Sequence, residues 1–144
     1  MKRACRIIPI LLALLFATMG VCHAEEDSPV QVVELFSAYY GGANMDEIVD
    51  YTTEHFRANR PKSVWIVDTW KALQRIDYRR LHGSVIDSKL ADDRAAVILD
   101  AKIGTAGGET KQKEIYYLIK EDQKWLIDQL RVADEEIDEE KTNL

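Results

Sequence analysis

Halfway along this chain the hydrophobic repeat changes from the period of a helix to the period of a strand. That switch limits the available folds more than any motif does. From residue 28 to about residue 75, apolar side chains return every three or four positions. Ser28-Pro29 sets a capping residue before a proline suited to the first helical turn, and Gln31 completes a Ser-x-x-Gln box. Val32, Val33, Phe36, Tyr39 and Tyr40 follow at helical spacing until Gly41-Gly42 ends the run. Asn44 is placed to cap a second helix, with Asp46 and Glu47 in its first turn and Met45, Ile48, Val49, Thr52 and Phe56 as its apolar stripe. Pro61 breaks the chain. Ser63 then opens a third helix with Ile66, Trp70 and Leu73 on one face, although Val64-Trp65-Ile66-Val67 also reads as a short strand.

Beyond this point the alternation is two-residue. Segments 78–90, 94–104, 111–121 and 124–133 read as strands, and in the second Val97, Leu99, Ala101 and Ile103 alternate with Ile98, Asp100 and Lys102. The links at 90–94, 104–108 and 121–124 are rich in Asp, Gly and other turn residues. Three short links between four strands imply an antiparallel meander, since parallel strands need long crossovers. The sheet must bury its apolar face, and the preceding helices supply the surface. The expected class is α+β, N-terminal helices first and sheet second.

The ends differ from this middle. Lys2, Arg3 and Arg6 precede an uncharged run from Ile7 to His23, and small residues lie at the −3 and −1 positions of a cut after Ala24. The apolar core is shorter than the roughly 20 residues that span a bilayer. Residues 1–24 therefore read as a secretory signal peptide, with an uncleaved anchor or lipidation at Cys22 as alternatives. The expected localisation is export to a bacterial periplasm or medium, as a soluble protein after cleavage with no stable membrane span. Both cysteines, Cys5 and Cys22, leave with the signal, and the formal charge moves from −6 to −9 because three basic and no acidic residues are removed. Such an acidic domain is a poor surface for nucleic acid, which is held by Lys and Arg. The expected domain spans 25–133, and 134–144 is an acidic C-terminal tail.

The order of these elements resembles the nuclear transport factor 2-like superfamily, a cystatin-like cone fold, and within it an exported bacterial branch of unknown function. Residues 28–36, Gly42 to Val49, Ala95 to Leu99 and Tyr117 to Ile127 carry the resemblance, which extends over roughly 28–132. It implies helices packed on a curved antiparallel sheet that closes into a cone. The superfamily holds isomerases, dehydratases and cyclases as well as binding modules, so the fold does not choose a chemistry.

Residues with chemical potential are few. His55 and His82 are the only histidines after residue 24, with no His-Glu-x-x-His pair and no acidic calcium loop, so neither a metal nor another cofactor is expected. There is no Gly-x-Ser-x-Gly elbow, and Gly104 to Lys111 lacks the spacing of a phosphate loop and reads as a hairpin. An acid–base enzyme of the cone type needs a desolvated carboxylate or imidazole, for which His82 and Asp128 are the candidates. Tyr39, Tyr40 and Tyr51 are the associated donors, while Asp100, sharing a face with Lys102, reads as solvated. Trp65, Trp70, Tyr78, Tyr116, Tyr117 and Trp125 could line a pocket for a small apolar ligand or simply fill the core. Ile98, Tyr116 or Leu118 could form an outer apolar face for a homodimer, and Arg79-Arg80 reads as a solvated strand end. The resulting expectation is an exported, non-enzymatic binding or accessory protein with a cone-fold pocket. A small-molecule isomerase, dehydratase or cyclase and a homodimeric scaffold are the alternatives. A carboxylate deep in a cavity with a tyrosine within hydrogen-bond reach would favour the enzyme.

Overall fold

A computed structural model describes residues 27–133; the expected signal peptide and acidic tail lie outside the described residues. The first helix, α1 (Pro29–Tyr39), starts as its sequence requires. Ser28 Oγ accepts from the Gln31 amide at 3.2 Å, and Gln31 Oε1 accepts from the Ser28 amide at 2.7 Å. Both halves of the box are made, satisfying two amides that a helix start would otherwise strand. Gly41 then turns the chain at φ +82°, and a Cβ there would lie 2.9 Å from the Tyr78 ring. Left-handed backbone and close approach together make that position a glycine position.

The second helix is shorter than its stripe suggests. α2 (Met45–Ile48) passes at once into a 3-10 turn, Val49–Tyr51, and the Asn44 side chain makes no capping bond. Sheet geometry overrides helix periodicity here: Thr52 forms a parallel bridge with Ile127, and the Thr53 amide donates to the Ile127 carbonyl at 3.0 Å. Met45, Ile48, Val49 and Thr52 are still buried. Arg57 is buried as well, donating to the carbonyl and hydroxyl of Thr52 and so bracing the loop in which Ala58 and Asn59 take left-handed conformations. The third segment is a helix, α3 (Lys62–Arg75), and not the alternative strand. It buries Trp65 alone, against Phe56 at 5.9 Å, and packs mainly on α2 and the 3-10 turn. Val64, Val67 and Trp70 are left more than 40% exposed.

Four strands follow as a meander in the order β1-β2-β3-β4, all antiparallel: β1 (Arg79–Ala91), β2 (Arg94–Thr105), β3 (Gly108–Glu121) and β4 (Lys124–Ala133). The expected boundaries hold within three residues. The glycine-rich link is a hairpin in which Thr105 faces Gly108. Register shifts in β1 and β4 bend the sheet. The inner face, Val97, Leu99, Ala101, Tyr116, Leu118, Trp125 and Ile127, packs against Val32, Val33 and Phe36 of α1 and against Met45 and Ile48. Phe36 lies at the centre, with the rings of Tyr40, Phe56 and Tyr116 at 5.2, 5.6 and 5.9 Å. The molecule is α+β, helices first and a curled antiparallel sheet second. No helix among the described residues is long and apolar enough to cross a membrane.

Two expectations change at this level. Tyr116 and Leu118 face the core and are at most 1% exposed, so of the three proposed outer-face residues only Ile98 belongs there. The register decides it: Leu118 lies opposite Ile127 and Tyr116 opposite Leu130, both packed in or against the core. Arg80 is likewise no solvated strand end. Its side chain is 11% exposed, against 61% for Arg79, because strand alternation turns the two to opposite faces.

Candidate ligand pocket

Alternation along β3 places Gln112, Glu114 and Tyr116 in one inward row, and β1 contributes Arg80 two strands away. Two strand spacings are roughly 10 Å. The small residues Gly83 and Ala101, paired with each other across β1 and β2, keep the floor low enough for the long arginine to cross. Arg80 Nη2 donates to both oxygens of Glu114, at 3.1 and 3.0 Å. Gln112 Nε2 donates to Oε1 at 2.8 Å and the Tyr116 hydroxyl to Oε2 at 2.7 Å. Glu114 is 2% exposed, the only carboxylate among the buried described residues. Its charge is tolerated because three side chains solvate it in place of water.

The surrounding phenols feel this arrangement. Burial, then the Glu114 charge, pushes the Tyr116 hydroxyl well above the usual tyrosine range. Tyr40 is pushed up to about 12, chiefly by burial and further by Tyr78 and Glu114. Tyr78 is raised by burial, with Arg80 opposing. Burial alone would lower the Arg80 guanidinium, but Glu114, Tyr116 and Tyr78 outweigh it, and Arg80 remains charged. The inner end of the sheet therefore holds one ion pair among neutral phenols.

Beside this network a cavity of about 270 Å³ opens between α1 and β1, lined by Ser37, Arg80, Gly83 and Leu99 with Glu34 and His82 among its exposed residues. A Cβ on Gly83 would stand 2.9 Å from Ser37 Oγ and 3.6 Å from Arg80 Cδ. The bare glycine therefore sets how closely α1 approaches β1, and it leaves space along the arginine stem.

The sequence candidates fall in several places. His82 is exposed and reaches the cavity only at its rim. Asp128 occupies the irregularity in β4, where it accepts from Thr53 Oγ1 at 2.7 Å and lies 3.3 Å from His55 Nδ1. It pins the 52–60 loop to the sheet edge, outside that cavity. With Tyr117, which faces outward and is half-buried, it borders a separate depression of about 250 Å³. Tyr40 and Tyr78 meet edge to face at 5.9 Å above the Arg80–Glu114 pair's end of the core. Tyr39 packs on the core, Trp65 and Trp125 are buried in it, and Trp70 borders a groove of about 560 Å³ with Met45 and Ile66. Tyr51 is half-buried against the core, its hydroxyl donating to Asp27 at 2.9 Å with Lys124 4.5 Å over its ring. Glu114 and Gln112 were not singled out from sequence, and Arg80 was read there only as a solvated strand end. Their signal was available: Gln112-x-Glu114-x-Tyr116-x-Leu118 places two polar residues in register with two aromatic or aliphatic ones.

No family model matches this sequence, and no curated protein is significantly similar to it. Among solved structures, the chain is similar to a SEC-C motif containing protein from Rhodopseudomonas palustris, with 21% identity, 74% of this chain and 80% of that one covered, and a TM-score of 0.59. It is also similar to a protein from Thiobacillus denitrificans named for the calcium/calmodulin-dependent protein kinase type II association domain, at 10% identity, 77% and 98% coverage and a TM-score of 0.58. A DUF4783 family protein from Bacteroides ovatus gives 17% identity, 78% and 99% coverage and a TM-score of 0.51. What these proteins share with the chain is the fold, helices laid on a curled antiparallel sheet.

Proposed function

We propose that this protein is an exported, non-enzymatic binding module, and that its site is the cavity between α1 and β1 beside Arg80. The observation that carries the reading is the state of Glu114. An acid–base catalyst needs a group with a lone pair or proton free to exchange with substrate. Glu114 instead spends both oxygens on Arg80, Gln112 and Tyr116. The cavity offers an apolar wall, a hydroxyl and a guanidinium stem, which is the make-up of a recognition pocket. The nuclear transport factor 2-like resemblance is compatible with this role, and export rests on the basic, apolar and small-residue pattern of residues 1–24.

One observation favours the enzymatic alternative: a buried carboxylate does have a tyrosine hydroxyl at 2.7 Å. The two readings separate in a paired experiment. The protein is screened against small carbonyl compounds for turnover and, in parallel, for ligand-induced thermal stabilisation. The binding reading expects stabilisation without turnover. Turnover that disappears in Tyr116→Phe or Glu114→Gln, with folding intact, would overthrow it.

A further inference from the structure

β3 is longer than the strand beside it. Its pairing with β4 begins at Lys113 opposite Ala133, so among the described residues 108–112 have a strand on the β2 side and none on the other. Backbone groups on that open side are a template for another extended segment. The outward side chains along it carry unbalanced positive charge. Lys111 stands directly opposite Lys102, a like-charge pairing that works against the sheet. Glu109 answers Lys102 with an ion pair, while Lys111 has no ion pair among the described residues. The register also names what comes next to this edge. Continued past Ala133 without a shift, it sets Asp134 opposite Gln112, Glu135 opposite Lys111, Glu136 opposite Thr110, Ile137 opposite Glu109 and Asp138 opposite Gly108. Alternation puts Glu135 on the outer face, directly across from Lys111 and diagonal to Lys113, both within reach of its side chain. Asp134 and Glu136 fall on the other face, against the neutral Gln112 and Thr110.

We propose that the open edge of β3 is a docking surface for the acidic segment 134–138 of the same chain, which extends β4 and is held by Glu135 on Lys111 and Lys113. The proposal is independent of the binding-module reading. A segment from the same chain is favoured over a second copy by connectivity: it leaves β4 already at the edge and in register, with no loop to close. A second copy would have to lose its free translation and rotation to reach the same place. Asp and Glu are poor strand formers, so the extension depends on the charge pairing and weakens when salt screens it. Its consequence is to cover an edge on which other chains could otherwise add a strand.

The test follows the isotope-labelled full chain by nuclear magnetic resonance. Overhauser contacts between the backbones of Lys111 and Glu135 are expected, with slowed amide exchange along the open edge of residues 108–112. Both should fade at about 1 M salt, where the screening length falls to about 3 Å. Lys111→Glu or Glu135→Lys alone should lower the edge protection about two- to fivefold, the worth of one cross-strand pair. The two substitutions together should restore it, which a merely local effect of either would not do. Ile137→Pro should loosen the far end of the extension while leaving the signals of the α1–β1 cavity in place. Random-coil shifts at 134–138 with freely exchanging edge amides would overturn the proposal. Contacts seen only between labelled and unlabelled copies in a mixed sample would overturn it in favour of a second chain. Contacts indifferent both to salt and to the charge variants would contradict the pairing on which it rests.

Discussion

Arg80 and Glu114 form a pair in which each makes the other's burial tolerable. Breaking a buried pair from one side leaves an uncompensated charge, which costs about 3–5 kcal/mol, whereas replacing both partners with neutral groups of similar volume is often close to neutral. Arg80→Met alone should therefore lower unfolding free energy in urea by at least about 3 kcal/mol. Adding Glu114→Gln should restore most of that loss. If the single and double variants are equally destabilised, the pair is not what organises this end of the core. Tyr40 gives a second prediction at the same scale. Its hydroxyl is raised to about 12 in the fold against about 10 in the unfolded chain. The unfolded chain thus loses that proton first as pH rises, so stability is full below about pH 10 and declines towards pH 12. Tyr40→Phe should flatten the decline measured between pH 8 and 11, and an unchanged slope would show that Tyr40 ionises as freely in the fold.

At the scale of elements, legibility followed the locality of the physics. The α1 start was readable because a capping box is a contact between residues three apart, and strand limits were readable because a period-two pattern ends where the turn residues begin. Ser28→Ala should cost about 1 kcal/mol in urea unfolding, the usual worth of such a cap. Gly41→Ala should cost more than about 1 kcal/mol, since it adds a Cβ against Tyr78 in a left-handed turn. Equal effects of the two would deny Gly41 its special place. Less was readable where distant segments decide. The early end of α2 depends on a bridge from Thr52 to Ile127, and the depth of Arg80 depends on Glu114, 34 residues away. Trp70 shows the same limit, since its helical spacing with Ile66 predicts a shared face but not that the face is left open. Nor does a strand pattern reveal which of its two faces meets the helices, so Tyr116 and Leu118 were assignable only once the partner strands were known.

For the whole molecule, one layer of helices covers the concave side of a four-stranded sheet, and the pocket lies where α1 and β1 meet over Gly83. The proposed export is tested at this scale too. Intact-mass measurement of protein recovered from the producing cell's exterior or periplasm should give a chain beginning at Glu25. A mass that includes residues 1–24 would contradict cleavage, and an added lipid mass on a chain beginning at Cys22 would replace it with anchoring. The central claim, that the α1–β1 cavity is a binding site and not a packing fault, is tested most directly by mapping a small-molecule library onto the labelled protein by amide chemical shifts. The account predicts hits whose shifts centre on Ser37, Gly83 and Leu99, with affinity lost in Gly83→Ala while the fold is retained. Hits that centre on the Tyr117–Asp128 depression or the Trp70 groove, or that bind Gly83→Ala unchanged, would contradict it.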